Sequence, residues 1–568
     1  AVEPELLGDY VARFEEIVQR YGLPTAYYGH AGAGCLHIRP MINLKELDGP
    51  ENAEILAQEI ADLILEFGGS LSGEHGDGIV RGAFTERMFG PALVDSFRDV
   101  KLAFDPDSLM NPGKIIDTPA FNDNLRLSPK TGSLTPPTVL NWDEWGGIAR
   151  AAEQCNGQGA CLKDVGTMCP SFMVTKDEEH STRGRANLLR QVLNQGLPPE
   201  ELTGDRIHSA LDLCVECKAC KNECPSAVDM ALLKSEVLAL RHAKHGVPIR
   251  DRVFAGIAAG AKLNQLLGIR TLTNYISRNP IAKVLLERFA GIHKSRPLPE
   301  FARVSFVEWF QKNHSVGRPA TKGSVVFFVD TFTNYFQPQV GKATVEVLEA
   351  LGYAVQIAQQ NECCGRPMIS KGLLGDARDA AAKNLRSLEK FIEAGTPIVG
   401  VEPSCLLVFR DEYPLLLHNS RELTKLADTA AKQSFLIEEF ITERAAENEN
   451  SVRDIFQGGS NVSIHVHCHE KALVGTEQAL KVLELANISA NLIDSACCGM
   501  AGSFGFETEH YEISKAMAER TLVPAIQEMP ETDRLLITGT SCRQQLDHFA
   551  SKTPVHLVEA LAESLVNR

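Results

Sequence analysis

The sequence predicts a multidomain protein of mixed α/β and α class: an α+β lobe at the N-terminal end, a helical cysteine-rich middle and two repeated α/β domains. Three observations predict it. The last part of the chain repeats itself. Val325-Val326-Phe327-Phe328-Val329 matches Val462-Ser463-Ile464-His465-Val466, Cys363-Cys364-Gly365 matches Cys497-Cys498-Gly499, and Cys405 matches Cys542. Each copy alternates apolar strand-like runs with helical stretches, the pattern of largely parallel α/β units. Seven cysteines crowd between Cys155 and Cys224. Finally, the first residues alternate amphipathic helical periodicity with a glycine-rich, strand-like segment from Tyr27 to Arg39.

Taken in order, residues 5–20 place Leu6, Tyr10, Phe14 and Val18 on one helical stripe, and residues 51–67 form a second amphipathic helix. A glycine-rich loop, Gly73-Glu74-His75-Gly76-Asp77-Gly78, follows. A polar stretch with Pro119, Pro129, Pro136 and Pro137 reads as a linker. The expected divisions are 1–116, a linker 117–145, a helical cysteine-rich region 146–320, and repeats at 321–445 and 446–568. Val253 to Gly268, interrupted by Lys262, is the most apolar helical candidate and reads as a core helix rather than a membrane-surface one.

Acidic residues outnumber basic ones, 73 to 57, for a net charge of −16. Such a surface repels phosphate backbones and argues against nucleic acid as a partner. No run of 18 apolar residues is present, so no bilayer span is expected. The chain opens on Ala1 with no basic and apolar leader, which predicts no signal peptide and reads as a fragment or processed piece. Fifteen cysteines in tight patterns are not a disulfide scaffold, and thiolates kept for metal need a reducing compartment. The expected location is the cytoplasm, with peripheral contact at the inner membrane face and an oligomeric assembly both left open.

Cys214-x2-Cys217-x2-Cys220-x3-Cys224-Pro225 is the strongest signal. Three thiolates at this spacing wrap one [4Fe-4S] cube, and the cysteine before proline ligates the other cluster of a pair. A structural zinc site uses two separated CxxC pairs instead. The partner motif is Cys155, Cys161 and Cys169-Pro170, with Gln158 where a second cysteine would stand. Crossed ligation assigns Cys214, Cys217, Cys220 and Cys169 to one cluster. It leaves Cys155, Cys161 and Cys224 for the other, which is then a [3Fe-4S] cluster or a four-iron cluster with a non-cysteine ligand.

Gly29-His30-Ala31-Gly32-Ala33-Gly34-Cys35-Leu36-His37 sets two imidazoles around a glycine-rich turn, so two strands can bring them together. With Glu74 as a third ligand, this set suits a divalent metal such as zinc or manganese with positions left for substrate. Arg81 or Arg39 could grip a substrate carboxylate as a bidentate fork.

Two resemblances sharpen these readings. The C-terminal repeats resemble the CCG domains of heterodisulfide reductase and glycolate oxidase iron–sulfur subunits. That likeness implies a cluster, non-cubane or otherwise, on Cys468, Cys497, Cys498 and Cys542. It leaves open what Cys363, Cys364 and Cys405 do, since Thr331 stands where Cys468 would be. The motifs GHxGxGxxH, GEHGDG and FDPxxxxNPGK, covering about residues 1–116, resemble the C-terminal part of the FAD-linked oxidase family, which includes D-lactate, D-2-hydroxyglutarate and glycolate dehydrogenases. The resemblance implies that His30, His37 and Glu74 are metal ligands, that His75 is the general base, and that Asn111 touches the flavin. Ala33 and Cys35 depart from the Asp and Asn that many members carry. The order of parts is similar to fused bacterial FAD/iron–sulfur D-2-hydroxyacid dehydrogenases, nearest the D-2-hydroxyglutarate type, with the FAD mainly held by a domain not in this sequence. It implies oxidation of a D-2-hydroxyacid to the 2-oxoacid, with electrons passing from FAD through clusters to a quinone or carrier protein. The competing expectation is a non-catalytic iron–sulfur electron-transfer protein that serves a separate catalytic chain.

Overall fold

A computed structural model describes residues 1–313, 320–358 and 362–566. The expected boundary at 320 adjoins residues 314–319, which lie outside the described residues. The chain forms two compact units, Ala1–Ser133 and Leu134–Arg568.

In the first unit the helices Leu7–Arg20 and Gly49–Glu66 pack their apolar stripes together. Tyr10, Phe14, Ile17 and Val18 meet Leu56, Leu63 and Ile64 in its core. Strands β1 (Thr25–His30) and β2 (Cys35–Pro40) pair antiparallel around a short 3-10 turn. Residues 117–133, expected as linker, pack with this unit. Phe121 meets Phe84 edge to face, and Asn122 Nδ2 donates to Glu54 Oε2 at 2.8 Å.

The second unit begins where Leu134 N–H donates to the Leu193 carbonyl. The backbone N–H groups of Val139 and Leu140 and the Trp142 indole all donate to the buried Glu236 carboxylate. Short helices then carry the first cysteine groups.

Each repeat contains a four-stranded parallel sheet. The first is built from β3 (Ser324–Phe327), β4 (Ala354–Ile357), β5 (Ile398–Gly400) and β6 (Ser434–Leu436), ordered β4-β3-β5-β6. The second uses β7 (Val462–His465), β8 (Ala490–Leu492), β9 (Arg534–Ile537) and β10 (Val555–His556), ordered β8-β7-β9-β10. The central strands are buried on both faces, with Ser463 and His465 of β7 the polar exceptions to an apolar pattern, as parallel sheets covered by helices require. The repeats share one core, in which Phe327, Val329 and Val399 pack with Ile464, Leu536 and Leu557. A second core joins repeat one to the helical region, through Leu232 and Leu233 with Leu385, Leu388 and Phe391.

One expectation is overturned. Val253 to Gly268 is not a core helix. It falls in the helices Ile249–Ala255 and Ile257–Leu266, where Val253, Leu263 and Leu266 are exposed and the buried positions are small or polar: Ala255, Ala261 and Asn264. The run is apolar enough for a core but too small on its inward side to make one. No helix among the described residues is long and apolar enough to cross a membrane.

Candidate metal and iron–sulfur sites

In the first unit the β1–β2 register places Tyr28 opposite His37 and His30 opposite Cys35. Because side chains alternate along a strand, His30 and His37 share one face. The turn demands glycine at two points: at Gly34, φ 66°, a Cβ would stand 1.8 Å from the Val2 carbonyl oxygen. At Gly29 a Cβ would stand 2.6 Å from the Cys35 carbonyl oxygen. The glycine-rich loop brings Glu74 across this face. Its Oε1 lies 2.6 Å from His37 Nε2, and its Oε2 lies 3.6 Å from His30 Nε2. The three ligand atoms all lie within 4.8 Å of one another. His75 Nε2 is 3.2 Å from Glu74 Oε1, and its ring centroid is 4.8 Å from that of His37. His37 is mostly buried and stacked on Tyr28, while His30 and His75 are exposed, so the group opens to one side.

Two imidazoles and a carboxylate converging with open positions fit a divalent cation. Arg39 lies on the same strand face as His37, its guanidinium 5.0 Å from the Tyr28 ring centroid. Arg81 instead donates to the Gly76 carbonyl and braces the loop that carries Glu74 and His75. Asn111 sits in a left-handed turn, φ 47°, where its Oδ1 accepts from Lys114 Nζ rather than engaging the histidines. Cys35, the one cysteine outside the cluster motifs, lies against Gly73, whose added Cβ would come within 2.9 Å of its sulfur.

In the helical region, Cys214 to Cys220 wraps tightly because Glu216 and Lys218 adopt left-handed backbone, φ 51° and 61°. Conformations this unusual for such residues persist only when held from outside. Here the hold is a buried charge network. Lys218 donates to Asp411 and Glu412, and Arg366 binds Glu412 at 2.9 Å and Glu216 at 2.8 Å. The pull of Lys218 and Lys221 outweighs burial and holds Asp411 well below the usual carboxylate range. Cys169, Cys214, Cys217 and Cys220 line one small cavity, the set that crossed ligation joins.

Cys169 also stands beside Cys161. The N-terminal amides of the helix Thr182–Leu193 reach both sulfurs: Thr182 N–H donates to Cys169 at 3.1 Å, and Arg183 N–H donates to Cys161 at 3.3 Å. The bond from Cys169, aided by the Arg183 amide and opposed by burial, brings Cys161 down to about 6. Glu223, just before Cys224, accepts from the Thr167 and Met168 amides just before Cys169, so the two motifs are laced together. Gln158 is exposed and bonded to Asn156.

The repeats place their cysteines at the carboxyl ends of parallel strands, about the point where strand order reverses, where open α/β sheets bind ligands. After β7, β8 and β9 come Cys468, the Cys497-Cys498 pair and Cys542. Their free thiols are neighbours in series, Cys468 beside Cys497, Cys497 beside Cys498 and Cys498 beside Cys542. In the first repeat Cys363, Cys364 and Cys405 are likewise neighbours, and the Thr331 hydroxyl touches Cys363. Burial helps to push Cys217, Cys468 and Cys498 well above the ordinary thiol value. Gathered buried sulfurs of this kind become good thiolate donors only against a cation, which fits iron.

The chain matches three known families. FAD linked oxidases, C-terminal domain, covers residues 1–115; the 4Fe-4S dicluster domain covers 154–229; and the cysteine-rich domain covers 325–410 and 462–547. D-2-hydroxyglutarate dehydrogenase of Escherichia coli (strain K12) is 29% identical across 99% of this chain and 58% of its own length. The chain carries these three domains in this order. It spans a little over half the length of the dehydrogenases it matches. The D-2-hydroxyglutarate dehydrogenase of Pseudomonas putida (strain KT2440) is 28% identical, again across 99% of this chain and 58% of its own length. Lactate utilization protein A of Bacillus pumilus is 30% identical over 38% of this chain and 87% of its own length.

Sequence reasoning missed a cavity of about 200 Å³ in the second unit. It is lined by Cys405, Cys468 and Cys498 together with His467, His469 and Arg366. The residues His467-Cys468-His469 were the signal that could have pointed to it.

Proposed function

We propose that this chain supplies the substrate lobe and the iron–sulfur relay of a D-2-hydroxyacid dehydrogenase that acts on D-2-hydroxyglutarate or D-lactate. The observation that carries the reading is the convergence of His30, His37 and Glu74 with His75 beside them, opening to one side. A zinc or manganese ion held by those three residues would supply Lewis acidity toward a hydroxyl and carboxylate, FAD would supply two-electron acceptance, and the clusters one-electron relay. The chain's own residues do the rest. His75 takes the hydroxyl proton, a role supported by its Nε2 lying 3.2 Å from Glu74 Oε1. Arg39 offers its guanidinium on the same strand face for a substrate carboxylate. Arg81 steadies the Glu74–His75 loop rather than touching substrate, and Asn111 meets the flavin.

Cys169, Cys214, Cys217 and Cys220 hold a [4Fe-4S] cluster. Cys155, Cys161 and Cys224 hold the second, with three irons or a non-thiolate fourth ligand. Cys468, Cys497, Cys498 and Cys542 hold a third. Electrons leave to a quinone or carrier protein.

The test is a panel of 2-hydroxyacids offered with an artificial acceptor to the protein in its full natural length. His75→Ala should lower turnover by roughly 10²–10⁴-fold while iron content stays constant. Unchanged turnover in that variant would instead favour an electron-transfer protein whose catalytic partner lies elsewhere.

A further inference from the structure

Four helices, Ile249–Ala255, Ile257–Leu266, Arg270–Arg278 and Pro280–Ala290, turn their apolar sides outward. Leu266 is 82% exposed, Tyr275 70% and Phe289 80%, with Leu272, Ile281 and Val284 exposed beside them. The third helix is inverted. Its polar side faces the protein, where Asn274 exchanges two bonds with the backbone of Phe301, each 2.9 Å, and Thr273 accepts from Asn264. A helix of a water-facing surface shows the opposite arrangement, apolar side in and polar side out. Contiguous exposed apolar surface on this scale marks an interaction site.

Charge says what covers it. Residues 249–290 hold seven Lys and Arg against two acidic residues, in a chain whose net charge is −16. Arg250, Arg270 and Arg278 are paired with Glu509, Glu308 and Glu300. Arg252, Lys262, Lys283 and Arg288 have no ion-pair partner among the described residues. Outward apolar residues flanked by unpaired basic ones are the composition of an element lying in the interface of an anionic bilayer.

We infer that residues 249–290 form a platform that docks on an anionic phospholipid surface. The same helices supply Phe254 and Ile257 to the wall of the cavity that Cys468 and Cys498 also line. The platform stands on exposure and charge alone and is independent of which hydroxyacid is oxidised.

The test is co-sedimentation of the holoprotein, at full natural length, with vesicles of phosphatidylcholine alone or mixed with phosphatidylglycerol. Binding should require phosphatidylglycerol and weaken with salt. Lys262→Glu/Lys283→Glu/Arg288→Glu should lower partitioning roughly a hundredfold. Leu266→Glu/Tyr275→Glu/Phe289→Glu should abolish it. In both variants, iron content and turnover with a soluble acceptor should be unchanged. The inference is overturned by absence of phosphatidylglycerol-dependent binding, or by equal binding of either variant. It is also overturned if the parent ignores vesicles and the apolar variant splits an oligomer, which would assign the face to a second copy of the chain.

Discussion

The two C-terminal repeats share one scaffold and differ at one decisive position. In each, a capping residue two or three positions beyond the first strand leads into a short helix. In the first repeat the cap is Asp330, which accepts from the Phe332 and Thr333 amides, and the first helical residue is Thr331. In the second the cap is His467, which accepts from the His469 amide, and the first helical residue is Cys468. The remaining sulfurs fall in matching places, so one repeat offers four thiols and the other three thiols and a hydroxyl. A fold held by its parallel sheet and shared core tolerates the exchange, and the difference is felt only by what the sulfurs hold.

The repeats also grip the Cys214–Cys220 loop differently. The first does so mainly with permanent charge, Asp411 and Glu412 on Lys218. The second uses histidines. His469 Nε2 lies 2.9 Å from the Glu216 carbonyl oxygen within the loop, and His510 Nε2 lies 2.8 Å from Asp212, at the end of the helix that leads into it.

The largest expected effect comes from converting the second repeat into the first. Cys468→Thr should remove most of the iron bound by that repeat, read as iron per chain and loss of its EPR signal after anaerobic preparation. Retention of full iron content would mean the four-thiol set is not the ligand set.

Breaking the charged grip comes next. Lys218→Ala removes the cation that Asp411 and Glu412 share, leaving Asp411 to Lys221 and Glu412 to Arg366, and should cost about 3 kcal/mol in denaturant unfolding, the low end for a broken buried pair. A cost near zero would show the grip to be dispensable.

The histidine grip should be smaller and pH-dependent. Burial opposes a proton on His510, but Asp212 and Glu507 outweigh it and raise the group from 6.5 to about 9. The folded protein then holds a proton the unfolded chain has released. The stabilisation is fully present below about pH 6.5 and is lost as pH rises through about 9. His510→Asn should flatten that part of the stability profile, and a slope unchanged from the parent would place its origin elsewhere. Lys371 and Arg250, which also face Glu507, temper its size.

The smallest effect is expected from Thr331→Cys, the reverse exchange. It should leave stability within about 1 kcal/mol of the parent, because the residues are similar in volume. It should also raise the iron bound by the first repeat. No gain in iron would mean that the surroundings of the site, not the missing thiol, separate the repeats.

Much of this was legible in the residues. Strand periodicity, the internal repeat and the Cys-x2-Cys-x2-Cys run are local patterns, and local patterns need no knowledge of distant neighbours. The hairpin that joins His30 to His37 was legible for the same reason, since glycine spacing and strand alternation act within a dozen residues. The apolar run Val253 to Gly268 misled because hydrophobicity along a chain does not say which way a helix faces. Its inward side proved too small to build a core, and only packing showed that.

By itself, then, the sequence determined the order of elements, the matched halves of the repeat and the thiol groups, because each follows from spacing along the backbone. Tertiary structure alone decided that Arg81 turns back to the Gly76 carbonyl, that Lys218 meets Asp411 and Glu412, and that a greasy basic surface is left uncovered. Those outcomes depend on burial and on charges brought together from positions far apart in the chain, and no local pattern carries that information.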